Sequence, residues 1–200
     1  MKSLYLRSGL ALLCGAILSA CGGSDGSLQL SGSVSGLYKD GLKLINKGNG
    51  STITVAAGAT SFFFTDPLIA VDDYFDVQIA EQPTNASCSV SNNQGKANVY
   101  NAYYVVVTCA STPRTLGGTV NNLKADGLVL ANGPETVTIA KPASGTSATF
   151  TFPAKVGDGQ SYGVNVLSQP TGQQCTIKSG TGVGLIGVNN ENSVVVDCTP

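Results

Sequence analysis

Ser33-Val-Ser-Gly-Leu-Tyr-Lys-Asp-Gly-Leu-Lys-Leu44 returns later in the chain as Thr119-Val-Asn-Asn-Leu-Lys-Ala-Asp-Gly-Leu-Val-Leu130, at an offset of 86 residues. The match continues with Phe62-x-Phe64 and Phe150-x-Phe152, then Phe75-x-Val77-x-Ile79 and Tyr162-x-Val164-x-Val166. Gln82-Pro-Thr-x-x-x-Cys88 pairs with Gln169-Pro-Thr-x-x-x-Cys175, and Val105-x-Val107-x-Cys109 with Val194-x-Val196-x-Cys198. Offsets that drift only from 86 to 89 across a whole module identify a tandem duplication, with the loops absorbing the differences.

Inside each copy, short apolar or alternating runs are separated by turn residues, which is the pattern of half-buried strands. In copy one they are 31–37, 42–46, 51–56, 61–65, 74–80, 88–91 and 103–109; in copy two they are 117–123, 128–131, 136–140, 147–152, 161–168, 175–179 and 193–198. About seven strands in roughly 85 residues, with no helical periodicity, predict an all-β fold of two tandem β-sandwiches. Asp40-Gly41 and Asp126-Gly127 are read as tight hairpin turns between the first and second strands, because Asp and Gly tolerate positive φ. A calcium loop needs more oxygen ligands at closer spacing than either copy supplies. Asp72, Asp73 and Asp76 are read as a solvated acidic loop, and Gly180-x-Gly182-x-Gly184 as a loop without a following helix to bind phosphate.

The N-terminus follows a different logic. Lys2 and Arg7 precede an apolar stretch from Gly9 to Leu18, too short to span a bilayer and flanked like a secretory signal. Leu18-Ser19-Ala20-Cys21 resembles the bacterial lipobox, whose cysteine is lipidated and becomes the new N-terminus after cleavage. The resemblance makes Cys21 the lipidation site; an ordinary secretory signal cut near Ala20 is the alternative. Gly22 lacks the aspartate that in this family favours inner-membrane retention, so the resemblance implies an outer-membrane lipoprotein, facing either the periplasm or the outside. Gly22 to Ser27 then forms a polar tether spanning about 13 Å root-mean-square.

The expected layout is a signal peptide at 1–20, a lipidated tether at 21–28, a first β-sandwich module at 29–110, a linker at 111–115 and a second module at 116–200. The initial Gly-x-Val strand, the Asp-Gly turn, the Thr-x-Val and Phe-x-Phe strands and the later aromatic-x-Val-x-Val strand resemble Ig-like and prealbumin-like modules. Carboxypeptidase regulatory domains and Cna-B-type surface repeats share that order, and tandem repeats of uncharacterised proteobacterial surface lipoproteins are closer still. Lys43 becomes Val129 in copy two, so the Lys-Asn crosslink of some Cna-B domains is not carried over.

Of six cysteines, Cys14 leaves with the signal and Cys21 takes the lipid. The remaining four fall at matched strand positions, which predicts the intramodule disulfides Cys88–Cys109 and Cys175–Cys198 in an oxidising envelope. The chain has no His, and neither copy has a Cys-x-x-Cys, so a metal centre is not expected. The same absence removes every His-dependent catalytic arrangement, and the remaining acids and lysines are scattered in turns; neither catalytic residues nor a cofactor are expected. Loss of Lys2 and Arg7 leaves nine bases against twelve acids, a balance of −3 with no dense basic patch, so nucleic acid is not an expected partner.

Aromatic residues differ most between the copies. Copy one has Tyr38, Phe62, Phe63, Phe64, Tyr74, Phe75, Tyr100, Tyr103 and Tyr104; copy two has Phe150, Phe152 and Tyr162. If Phe62 and Phe64 point inward, alternation turns Phe63 outward, where copy two has Thr151, and the same rule exposes Tyr104 beside an inward Tyr103 and Val105. Phe63, Tyr104 and Tyr100 are therefore the candidate contacts for a protein or glycan partner. The competing explanation is that the surplus rings pack on the second copy, the tether or a long loop. The expected function is a membrane-anchored, non-catalytic binding, adhesion or structural module of the cell envelope. A periplasmic accessory subunit of an envelope or pilus assembly is the alternative, and an enzyme the third reading.

Overall fold

The computed structural model describes residues 26–200, so the lipobox, Cys21 and most of the tether lie outside the described residues. The first module contains β1 (Ser27–Leu28), β2 (Ser31–Ser35), β3 (Leu42–Asn46), β4 (Thr52–Val55), β5 (Ser61–Phe63), β6 (Ile69–Ala70), β7 (Tyr74–Glu81), β8 (Ala86–Ser91), β9 (Gln94–Lys96) and β10 (Val105–Ser111). The second contains β11 (Pro113–Arg114), β12 (Leu116–Asn121), β13 (Leu128–Asn132), β14 (Glu135–Ile139), β15 (Ala148–Thr151), β16 (Val156–Gly157), β17 (Ser161–Ser168), β18 (Gln174–Ile177), β19 (Val183–Leu185) and β20 (Glu191–Thr199). Strand n of the first module corresponds to strand n + 10 of the second. The sheet orders β5-β2-β10-β8 and β4-β3-β7-β9 become β15-β12-β20-β18 and β14-β13-β17-β19, and the ribbon β1-β6 becomes β11-β16. The fold is all-β, and each copy is a sandwich of two four-stranded sheets around its own core.

The repeated motifs are packing rules. Phe62 and Phe64 are buried edge-to-face at 6.1 Å, and Phe150 and Phe152 repeat the pair at 5.9 Å. Each such ring stabilises its core by about 2–3 kcal/mol through burial. The first strand of each sandwich runs parallel to the last, β2 with β10 and β12 with β20. There Gly32 and Gly118 face the carbonyls of Val105 and Val194, where a Cβ would overlap backbone. The disulfides Cys88–Cys109 and Cys175–Cys198 join residues directly opposite in register, with Cα atoms 3.9 Å apart.

Several expectations are corrected. Asp40-Gly41 and Asp126-Gly127 do have positive φ at glycine, 107° and 106°, but they turn corners between sheets rather than hairpins, because β2 and β3 lie in opposite layers. Each aspartate instead ties the corner to a distant loop, accepting from Ala57 N–H and Lys141 N–H at 2.8 Å. Gly184 is not in a loop but inside β19, packed against the Tyr162 ring. Of the acidic group, Asp76 lies within β7, and Asp73 turns its carboxylate back onto Ala70 N–H. Ser27 and Leu28, expected at the end of the tether, form β1, and Leu28 is buried in the first core. Pro113 and Arg114 of the expected linker form the same element of the second module.

That correspondence organises the joint between modules. Val71 N–H donates to Gly26 C=O after β6, and Asp158 N–H donates to Thr112 C=O after β16. Val71 is half-exposed, whereas Asp158 is fully buried, 0% exposed, because the first module covers it. Lys39 Nζ approaches Asp158 Oδ1 to 2.7 Å, and Arg114 Nη2 approaches Oδ2 to 3.9 Å. Neither contact is aligned as a hydrogen bond, so what Lys39 and Arg114 give Asp158 is charge. The Tyr38 carbonyl and Cβ lie against Gly159 beside it, so residue 38 meets the second copy through its backbone end while its side chain stays partly exposed.

Candidate functional site: an aromatic pole on the first module

At the opposite end of the first module, side-chain hydrogen bonds override strand alternation. Asn98 Oδ1 accepts from the N–H groups of Tyr100 and Asn101, Asn101 Oδ1 accepts from Asn98 N–H, and Asn101 Nδ2 donates to Lys96 C=O at 2.6 Å. Such local bonds wind a chain into turns. They produce a 3-10 turn over Asn101–Tyr103 and delay β10 until Val105. Tyr103, expected inward, is therefore 50% exposed, a correction to the alternation argument. Val105 and Val107 remain buried, as β10 alternates only from its own first residue.

Phe63 is 53% exposed, Tyr100 75% and Tyr104 63%, so all three candidate contacts point to solvent. Phe63 sits opposite Ser31 at the start of β2, and Tyr103 leans over the same strand. Between them runs an open groove of about 450 Å³, floored by Gly32 and rimmed by Gln29, Ser31, Ser33 and Ser61. No ionisable side chain other than the Tyr103 phenol lines it. Tyr100 and Tyr104 flank the turn next to this groove.

The duplication supplies an internal reference. The strand pairing puts Thr151 where the first module has Phe63, and counting back from the equivalent Val105 and Val194 sets Asn189, Asn192 and Ser193 against Tyr100, Tyr103 and Tyr104, although β20 already starts at Glu191 where the first module makes its turn. Both cores close with those positions outside them, so core packing does not account for the four rings. In the second module Glu191 Oε1 accepts from Ser193 N–H at 2.7 Å, and the Ser193 bonds hold the Glu191 carboxyl below the usual carboxylate range. Burial, with some repulsion from Glu191, pushes the Tyr162 phenol up.

Sequence reasoning missed Tyr103, whose exposure follows from the asparagines before it. It also missed Asp158, which reads as one more loop acid until the inter-module contact is visible. Among the described residues, no group of three or more His, Cys, Asp or Glu side chains is gathered to hold a metal. No helix among them is long and apolar enough to cross a membrane. The chain matches no protein-family model and no curated protein.

Proposed function

We propose that this chain is a lipid-anchored protein of the outer membrane that works by surface contact, as a binding, adhesion or structural module without catalysis. The observation that carries the reading is the set of exposed rings at Phe63, Tyr100, Tyr103 and Tyr104 on a duplicated scaffold whose second copy is polar at the same places. Exposed aromatic side chains offer large contact area at small entropic cost and are enriched where proteins meet partners. The anchor is supported by Leu18-Ser19-Ala20-Cys21 behind its basic and apolar segments. Two disulfide-stapled sandwiches suit an oxidising compartment.

Metabolic labelling with a fatty-acid analogue, followed by membrane fractionation, tests the reading. The wild-type chain takes up label and sediments with membranes, and Cys21→Ala loses the label and most of the membrane fraction. A labelled Cys21→Ala, or an unlabelled wild type, overturns it.

A further inference from the structure

Gly26, the first described residue, emerges at one pole of the first module, where its C=O accepts from Val71 N–H. The strand directions place the rings at that same pole. The start of β2 pairs with the end of β5 at Phe63, β10 begins beside Gly32, and Asp72 N–H donates to Ala97 C=O just ahead of the turn that carries Tyr100. The second module is attached at the opposite pole, through Lys39 and the end of β10. Thirteen large apolar or aromatic side chains are exposed among the described residues, and eight of them (Phe63, Leu68, Val71, Tyr74, Val99, Tyr100, Tyr103 and Tyr104) belong to this pole. That bias needs an explanation that applies to one end of one module only.

Position supplies it. Cys21 stands five residues before Gly26, a separation of at most about 18 Å even fully extended and about 12 Å as a flexible chain. A lipid on Cys21 therefore holds this pole within reach of the headgroups. Tyr belongs at such a boundary, since its ring is apolar while its phenol stays wet, and Phe63 adds apolar surface beside the three tyrosines.

We infer that the aromatic pole of the first module docks on the lipid surface, seating Phe63, Tyr100, Tyr103 and Tyr104 among the headgroups so that the protein stands on the bilayer instead of swinging from its tether. The inference rests on lipidation at Cys21. The charge at the pole selects the lipid: Asp66, Asp72, Asp73 and Asp76 outnumber Lys47 and Lys96 there, so the surface it fits is zwitterionic, not anionic.

The chain contains no Trp, so a single introduced Trp reports without background. Tyr100→Trp, Phe63→Trp and, as reference, Leu185→Trp on β19 of the second module all replace exposed residues. Each lipidated full-length variant is reconstituted into vesicles of phosphatidylcholine and phosphatidylethanolamine with brominated acyl chains, after its circular dichroism has been matched to the wild type. Trp at 100 and 63 should be blue-shifted and quenched at least twofold relative to Trp at 185, and replacing half the lipid with phosphatidylglycerol should weaken that difference. Equal quenching at all three sites in protein that floats with the vesicles overturns the docking surface and leaves the anchor standing, the result expected if the rings serve a protein or glycan partner. Failure of the wild type to carry label or float overturns the anchor, and the docking surface with it.

Discussion

Gln82 and Gln169 explain why the repeat spells Gln-Pro-Thr-x-x-x-Cys. Gln82 Oε1 accepts from Cys88 N–H at 2.7 Å while its Nε2 donates to Cys88 C=O at 3.1 Å; Gln169 does the same for Cys175 at 2.7 and 3.0 Å. The 3.9 Å Cα separation across each disulfide marks the closely spaced kind of antiparallel pair, whose N–H and C=O point away from the partner strand. β8 and β18 are edge strands, so those groups would otherwise be an open template for another strand, and the glutamine amide occupies both. Gln169→Leu should therefore lower stability by about 1–2 kcal/mol, read as a fall in the urea midpoint at constant slope. An unchanged midpoint would mean that water serves Cys175 equally well. At this scale the sequence was legible where a residue acts alone, as in the inward Phe62 and Phe64 with the outward Phe63 between them. It was not legible at Tyr103, where Asn98 and Asn101 decide the outcome through bonds that no alternation rule contains.

Among elements, β3 and β17 could be read to the residue, because apolar alternation decides which face is buried, although each pairs with a neighbour through a register shift that the pattern does not contain. The unread ones are short or glycine-bearing. β9 is Gln94-Gly95-Lys96 and β19 is Val183-Gly184-Leu185, stretches whose strand conformation comes from pairing with β7 and β17 and not from their own propensity. The two-residue ribbon strands β1, β6, β11 and β16 are likewise products of tertiary pairing. The parallel contact of β12 with β20 is the most demanding joint in the second sandwich, since Gly118 has Val194 backbone where a Cβ would go. Gly118→Ala should push the two central strands apart and cost about 3 kcal/mol, at the upper end of overpacking penalties, whereas Gly187→Ala meets open space and should change little. Comparison of the two melting temperatures checks the difference, and equal values would show that the strands separate without strain.

For the molecule as a whole, two modules were plain from the duplication, but their joint was not, because a duplication says nothing about how its copies touch. Asp158 brings charges of both modules together at the joint, and the equivalent Val71 shows that the sandwich itself does not require an acid there. Asp158→Asn leaves Lys39 and Arg114 facing each other across the joint without a countercharge. Because both cations remain partly wet, the expected cost is about 2 kcal/mol, below that of breaking a fully buried pair. Small-angle scattering should show a broader distribution of molecular dimensions in the variant, with each module still folded; an unchanged profile would assign the joint to Tyr38 and the β11–β16 ribbon instead. That ribbon has a further consequence. Each ten-strand set begins with its own connector, β1 or β11, so the unit of inheritance is a sandwich with its coupling already attached. A break just ahead of residue 27 or residue 113 would copy connector and sandwich together, so such an array would lengthen or shorten by whole steps. The first connector carries Leu28 and Val71 where the second carries Arg114 and Asp158, so a copied unit would also need those two charges, and a lysine like Lys39 on the module ahead of it, before it could dock in the same way.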